Sequence, residues 1–255
     1  MKIAIITGSG LEDCRLGACE PTAVETPYGR VQLEYSPMDE AEIYLLPRHG
    51  RDHAVPPHRI NYRANIAALA ALGCKTIVAT NAVGSLRRAF APGDFVLPDQ
   101  FIDCTKNRPF TFFDGEDGIV EHVDVSQPYC PALRDVLQRA LRGHDLPVHT
   151  PATYLCTEGP RFETPAEIKA YATWGASLVG MTGVPEVVLA RELGLCYASL
   201  CLVTNYAAGM TTSAITSAEI GEISAQRRET MHAVLLGVIE RLQDTPDCPC
   251  RTQPE

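Results

Sequence analysis

KIAIITGSGLE, residues 2–12, joins a β-branched apolar run to a loop in which two glycines flank a serine. Such a run reads as a buried strand, and loops at strand ends are where α/β sheets gather ligands. The loop is a poor dinucleotide site. Gly8 and Gly10 are followed by Leu11, Glu12 and Asp13, so the third glycine of G-x-G-x-x-G is missing and an acid stands where a pyrophosphate would lie. Nor does a lysine-serine pair close it as in a P-loop. A bare phosphate needs less: a hydroxyl, a few backbone N–H groups and one or two cations.

Outward from this stretch, further buried strands are expected at Glu42–Pro47, Lys75–Asn81, Ser177–Thr182 and Cys196–Thr204. Helical patterns separate them. NYRANIAALAALG closes at Gly73 and PALRDVLQRALRG at Gly143. ETPAEIKAYATWG carries a capping box, with Thr164 as N-cap, Pro165 first in the helix and Glu167 three residues on. Thr216 and Glu219 repeat that spacing before a final helix expected to run to about Leu242. The section from Phe95 to Tyr129 is aromatic, polar and turn-rich, more loop and hairpin than helix. The alternation implies one α/β domain, a central twisted mixed sheet flanked by helices, over residues 1–244. The polar stretch 245–255 is expected to be a mobile tail.

The chain has 255 residues, 45% of them hydrophobic and 21% charged, ordinary for a globular α/β domain. With 22 basic against 31 acidic residues, a net charge of −9 argues against a nucleic-acid partner. No run approaches the ~18 apolar residues of a membrane span, and the N-terminus lacks a signal-peptide core, so a soluble, cytoplasmic protein without a membrane partner is expected. The ten cysteines include no C-x-x-C pair and no histidine at zinc-finger spacing. Most sit in apolar runs such as LGLCYASLCLV and read as small core residues. Cys248-Pro249-Cys250 lies in the polar tail and leaves disulfide or redox chemistry open.

Anion-binding chemistry recurs at strand ends. Ser9 sits in the opening loop, Arg48-His49-Gly50 ends a second strand, Asn81-Ala82-Val83-Gly84-Ser85 a third, and Thr182 a fourth. Small-residue turns of this kind can present N–H groups as an anion nest. Each signal is bland alone; four together point to a phosphate site.

Longer motifs then carry a resemblance. ITGSGLE, RHGRDH with HRINYRAN, TNAVGSL, QFIDCTKNRPFTFFDG, TEGPRFETPAE and WGASLVGMTGVPEVVLARELGLCYASL resemble the trimeric purine nucleoside and methylthioadenosine phosphorylases, in that family's order and over nearly the whole chain. The resemblance implies phosphorolysis of an N-glycosidic bond, with orthophosphate as co-substrate, no cofactor, no metal, and a homotrimer working in purine salvage. It assigns phosphate contacts to Ser9, Arg48, His49, Asn81, Ala82 and Thr182, and the base wall to Phe162. Met181 resembles a residue packing on the ribose, and His122 one reaching a neighbouring subunit's sugar pocket. Asn81 departs from the threonine usual in methylthioadenosine phosphorylases, keeping a hydrogen-bonding side chain.

Two further departures bear on the base. Where methylthioadenosine phosphorylases carry an aspartate-x-aspartate pair, this chain has Asn205-Tyr206-Ala207, and Glu163 replaces a small residue after GPRF. Both resemble the enzymes that accept inosine and guanosine. A 6-oxopurine offers an acceptor at O6 and a donor at N1, matching an amide donor at Asn205 and a carboxylate at Glu163; adenine reverses both edges. The bland alternative is that Glu163 is an acid favoured near a helix start. For the sugar's 5′ end, alignment through AITSAEI places Ser217 where a histidine or an aliphatic residue stands in relatives. Ser217 can bond a hydroxyl weakly and leaves room for a thiomethyl group, so both inosine-type nucleosides and 5′-methylthioinosine are expected substrates. A dedicated methylthioinosine enzyme, a methylthioadenosine phosphorylase, a nucleosidase and a purine-binding regulator are the alternatives.

Overall fold

The computed structural model describes residues 1–10, 16–38, 41–116, 118–144, 146–242, 248 and 250. In chain order the elements are β1 (Lys2–Thr7), β2 (Glu20–Thr26), β3 (Gly29–Met38), β4 (Ala41–Pro47), α1 (Tyr62–Ala71), β5 (Thr76–Ser85), β6 (Phe95–Val96), β7 (Gln100–Cys104), α2 (Pro131–Leu141), β8 (Val148–His149), β9 (Thr153–Thr157), α3 (Pro165–Thr173), β10 (Leu178–Gly180), α4 (Gly183–Glu192), β11 (Cys196–Tyr206) and α5 (Ser217–Arg241).

All eleven strands join one mixed sheet, with β2-β3-β4-β1-β5-β10-β9-β7 along its main path. β1 lies parallel between β4 and β5, and its alternate residues face opposite cores. Ala4 and Ile6 pack with Tyr62, Ile66 and Leu69 of α1 and Val187 and Leu189 of α4. Ile3 and Ile5 pack with Leu133 and Leu137 of α2 and Val234, Leu235 and Val238 of α5. Helices therefore cover both faces, and each fully buried Leu, Ile or Val contributes about 1.5–3 kcal/mol of transfer free energy before chain entropy is subtracted.

The capping box at α3 forms as its spacing requires. Thr164 accepts from the Glu167 N–H at 3.1 Å, and the Glu167 carboxylate accepts from the Thr164 N–H at 2.7 Å. At α5 the Thr216 hydroxyl accepts from the Glu219 N–H at 3.2 Å. Gly73, at φ +82°, follows the end of α1. α2 instead closes through a 3-10 turn, Arg142–His144, that contains Gly143.

Several expectations are corrected. Among the described residues the section from Phe95 to Tyr129 holds no hairpin, since β6 pairs with β8 and β11 while β7 runs parallel to β9. Strands β2 and β3, an antiparallel hairpin, extend the sheet beyond β4. β5 runs four residues past Asn81, to Ser85. Tail residues 245–247, 249 and 251–255, like Leu11, Glu12 and Asp13 of the opening loop, lie outside the described residues. Cys248 and Cys250 are described, and both are buried against the α2–α5 core.

Candidate active site

The site exists because β5 changes partners along one edge. β1 pairs with Thr76–Ala79 on that edge and β10 with Gly84 and Ser85, while β11 follows the other edge throughout. Between Ala79 and Gly84 a cleft of about 750 Å³ opens, lined by Asn81 and Ala82 of β5, Ser9 after β1, and Met181 and Thr182 after β10. That volume suits a small organic ligand.

The glycines of the opening loop serve close packing. A Cβ on Gly8 would lie 2.6 Å from the Thr80 carbonyl oxygen and 2.9 Å from Arg48 Nη1. Gly10, at φ +85°, would drive one into Ser224 of α5 at 2.4 Å. The Gly8 N–H is already used, donating to the Thr80 hydroxyl at 2.9 Å. The loop thus brings Ser9 to the cleft by wedging between β5 and α5.

Arg48 is the buried cation. Its Nε and Nη2 form a two-point pair with the Glu186 carboxylate at 2.7 and 2.8 Å, and Nη1 donates to the Thr80 carbonyl at 2.9 Å. Burial opposes its charge, but Glu186 outweighs that and holds the guanidinium protonated. A guanidinium has five N–H donors, so two remain for an anion. Glu186, fully buried on α4, also accepts from the Tyr197 hydroxyl at 2.7 Å. Sequence reading missed it, although a lone acid inside the apolar run VPEVVLA is a signal, because a buried carboxylate needs a cation.

His49 is held neutral. Burial, then the charge of Arg48, pulls its pKa from 6.5 down to about 4. Its Nδ1 lies 2.8 Å from the Val55 carbonyl oxygen, which can only accept, so Nδ1 carries the hydrogen and Nε2 keeps a lone pair. A neutral imidazole in that tautomer can accept a hydrogen bond from the hydroxyl of hydrogen phosphate.

Asn81 acts through Thr182. Its Nδ2 donates to the Thr182 hydroxyl at 2.9 Å, and its Oδ1 accepts from Ser199 at 2.7 Å. With its oxygen accepting, Thr182 has its own O–H free to donate. The Thr182 N–H is directed at the Tyr154 hydroxyl, 3.3 Å away, so the side chain is what Thr182 offers an anion.

At the base end, Glu163 is 9% exposed and lines the cleft. Burial raises its pKa, while the Thr157 hydroxyl, donating at 2.7 Å, opposes the rise. Two carboxylate oxygens leave acceptor capacity beyond that bond. Asn205 is fixed by its neighbours: Nδ2 donates to the Tyr206 carbonyl at 2.9 Å, and Oδ1 accepts from Thr204 at 2.9 Å. The second amide hydrogen remains for a ligand. A β-bulge sets this geometry, because β11 inserts Thr204 between Val203, opposite Val83, and Asn205, opposite Gly84. Thr204 and Asn205 both line the cleft, and the bulge sets Asn205 on the face of Gly84, where a regular pleat would have put Thr204.

Phe162 lines the mouth at 41% exposure. On α5, Ser217, Ile220, Gly221 and Ser224 fall at i, i+3, i+4 and i+7 and form one wall. Of these, sequence reading places Ser217 at the sugar pocket with Ile220 as nearby apolar surface; for Gly221 and Ser224 the helical spacing was the available signal. Two assigned residues stand elsewhere. Ala207 is buried with Leu86, Leu155 and Val179, its N–H bonded to the Ser85 carbonyl, and does not line the cleft. His122 is exposed and lies outside the cleft of its own chain.

The sequence profile of the phosphorylase superfamily matches residues 2–240. A 6-oxopurine nucleoside phosphorylase of Pyrococcus furiosus is 47% identical over 98% of this chain and 96% of its own. A probable S-methyl-5′-thioinosine phosphorylase of Methanopyrus kandleri is 46% identical over 98% and 96%. Among solved structures, a methylthioadenosine phosphorylase of Schistosoma mansoni in complex with adenine superposes with a TM-score of 0.91 at 34% identity, covering 96% of this chain and 93% of that one. With the profile spanning almost every element of the sheet and relatives near half identity over the full length, the chain belongs to the phosphorylase superfamily.

Proposed function

We propose that the protein catalyses phosphorolysis of 6-oxopurine nucleosides, inosine or guanosine and also 5′-methylthioinosine, using orthophosphate and no cofactor. The pairing of Glu163 with Asn205 across one end of the cleft carries the reading. An acceptor and a fixed amide donor match N1–H and O6 of a 6-oxopurine, and oppose the lone pair and amine of adenine.

The chemistry follows from the two ends. Phosphate, held by the spare Arg48 donors and the Thr182 hydroxyl, attacks the anomeric carbon as the bond to the purine nitrogen breaks. The sugar gains cationic character between an anion on one side and a departing base on the other. The proton that hydrogen phosphate brings ends on the free base, and the sugar leaves as its 1-phosphate. The lone pair of neutral His49 accepts a hydrogen bond from that O–H at the start, and Asn205 stabilises charge developing on the base. The deciding measurement is hypoxanthine release from inosine with and without phosphate. Phosphate-dependent release with sugar 1-phosphate is expected; equal release of free sugar in phosphate-free buffer means a hydrolase and removes the reading.

The same reading makes the enzyme a cytoplasmic homotrimer returning bases to salvage. Support comes from the segment before His122, where Phe110, Ile119 and Val120 are 63%, 49% and 70% exposed. Apolar surface of that kind suits a subunit contact, and would carry His122 to a neighbour's cleft. Among the described residues no helix is long and apolar enough to cross a membrane. Light scattering of the native enzyme tests the trimer, and a monomeric mass overturns it.

A further inference from the structure

The Cys-Pro-Cys tail, without a role in the reaction, meets two distant cysteines. Cys130 is the N-cap of α2, Cys196 opens β11, and Cys248 and Cys250 arrive from the C-terminal end of the chain. All four are buried, and their Sγ atoms lie within 4.8 Å of one another. Cys130 and Cys248, 118 positions apart, bring their sulfurs to 3.3 Å.

Those separations decide the chemistry. A disulfide holds its sulfurs at about 2.05 Å. A tetrahedral zinc with Zn–S bonds of about 2.3 Å spaces them by about 3.8 Å, inside the interval these four sulfurs occupy. Four mutually close sulfurs, with no oxygen ligand grouped with them among the described residues, are also the donor set soft enough for zinc over magnesium or calcium. We propose that Cys130, Cys196, Cys248 and Cys250 form a structural tetrathiolate site for a zinc-class divalent cation.

On binding, the four thiols release their protons to solvent and donate sulfur lone pairs to the cation. No electrons are transferred and no oxidant is needed. The surroundings suit the resulting anionic centre. Cys130 sits at the positive end of the α2 dipole. Arg191 Nη1 donates to the Cys250 carbonyl oxygen at 3.3 Å, placing a guanidinium beside the cluster. Four protein ligands leave no open position, so the site is structural and not catalytic. It also lies far from the cleft: Cys196 and Asn205 stand nine strand residues apart along β11, about 30 Å at the usual rise. The metal would clip the chain's C-terminal end to the start of α2, closing the face that packs α2 on α5.

The test uses the full-length chain, purified with a thiol reductant from zinc-supplemented culture. Elemental analysis should find about one zinc per chain, the four-ligand stoichiometry. Titration of the stripped, reduced protein with Co(II) should give the intense visible bands of a tetrahedral tetrathiolate. The C248S/C250S variant should lose both signals while keeping the native circular dichroism spectrum, and zinc should raise the wild-type melting temperature by about 5–10 °C. Because cobalt reports on the wild type alone, a variant that fails to fold does not shield the proposal. Metal below a tenth of an equivalent in the reduced protein overturns it, as does metal retained by C248S/C250S. A non-reduced intact mass lighter by four hydrogens, with metal absent, also overturns it and assigns two disulfides instead.

Discussion

At the phosphate end of the cleft, Arg48 is fully buried between Glu186 and the Thr80 carbonyl, and Asn81 fixes Thr182 while Ser199 fixes Asn81. At the α5 end, Ser217 and Gly221 are exposed, Ile220 is half-buried, and the buried Ser224 hydroxyl has no hydrogen-bond partner among the described residues. One end is a network in which every group is aimed before a ligand arrives; the other is one helix face with spare room and an unspent hydroxyl. Preorganised dipoles lower a barrier because nothing must reorient during reaction. A loosely contacted wall discriminates only weakly between similar groups. The contrast teaches that the reaction is set by the sheet and that tolerance toward the sugar's 5′ end is set by the helix.

The strongest way to break this contrast is Arg48→Ala. It removes the anion's cation and strands Glu186 as a buried, unpaired charge. kcat/KM for phosphate should fall about 10³-fold, and unfolding free energy by about 3–5 kcal/mol. The double variant R48M/E186L should recover most of the stability and none of the activity, since the burial cost disappears along with the charge. Unchanged phosphate kinetics in Arg48→Ala would put the anion site elsewhere.

Base choice tests the boundary between the two ends. Glu163→Gln supplies an amide that can accept or donate, so the kcat/KM ratio of inosine over adenosine should contract by about 10²-fold. Asn205→Asp should lower inosine turnover further than loss of one donor would, because the new carboxylate also faces the Tyr206 carbonyl. A native preference for 5′-methylthioadenosine would overturn the base assignment.

The third effect is on stability and concerns His49. Its folded pKa, about 4, lies below the 6.5 of the free side chain, so the unfolded chain binds more protons between those values. Stability is fully present above pH 6.5 and falls as pH drops toward 4, with about 3 kcal/mol attributable to this residue. Urea titrations across that window should show the slope, His49→Gln should flatten it, and an equal slope in the variant would assign it to other groups.

The smallest effects belong to α5. Ser217→Val and Ser224→Ala should each shift preference toward 5′-methylthioinosine by roughly tenfold or less, and the native enzyme should use it and inosine within about a hundredfold. A ratio above a thousandfold would show that the α5 wall is not loose.

The same contrast governs what was legible in the sequence. β1 and the Thr164–Glu167 box are local: a continuous β-branched apolar run and a three-residue spacing suffice to read them. Most of the phosphate set was legible because Ser9, Arg48, His49 and Thr182 closely follow strand ends, whereas Asn81 and Ala82 lie inside β5. Glu186, Thr204 and Ser224 were not, since their roles depend on a partner from another element: Arg48 for the first, the register against β5 for the second, and the loop at Gly10 for the third. The β2–β3 hairpin escaped because its polar, half-exposed residues lack a continuous apolar run. Ala207 was assigned from its place in the aspartate-x-aspartate comparison, but β11 ends at Tyr206 and Ala207 packs with Leu86 and Val179.

The extra residue in β11 gives the cleft a reading frame. A strand counts in twos, so the identity of residue 205 acquires meaning only after the insertion at Thr204 has shifted the count. Ironing the bulge out, with Thr204 paired to Gly84, would keep every residue chemically intact yet move Asn205 opposite Ser85, onto the face that Val203 packs. Base preference in this scaffold is thus written as a frame plus a letter, and an engineer who copies the letter into an unbulged strand would transplant nothing.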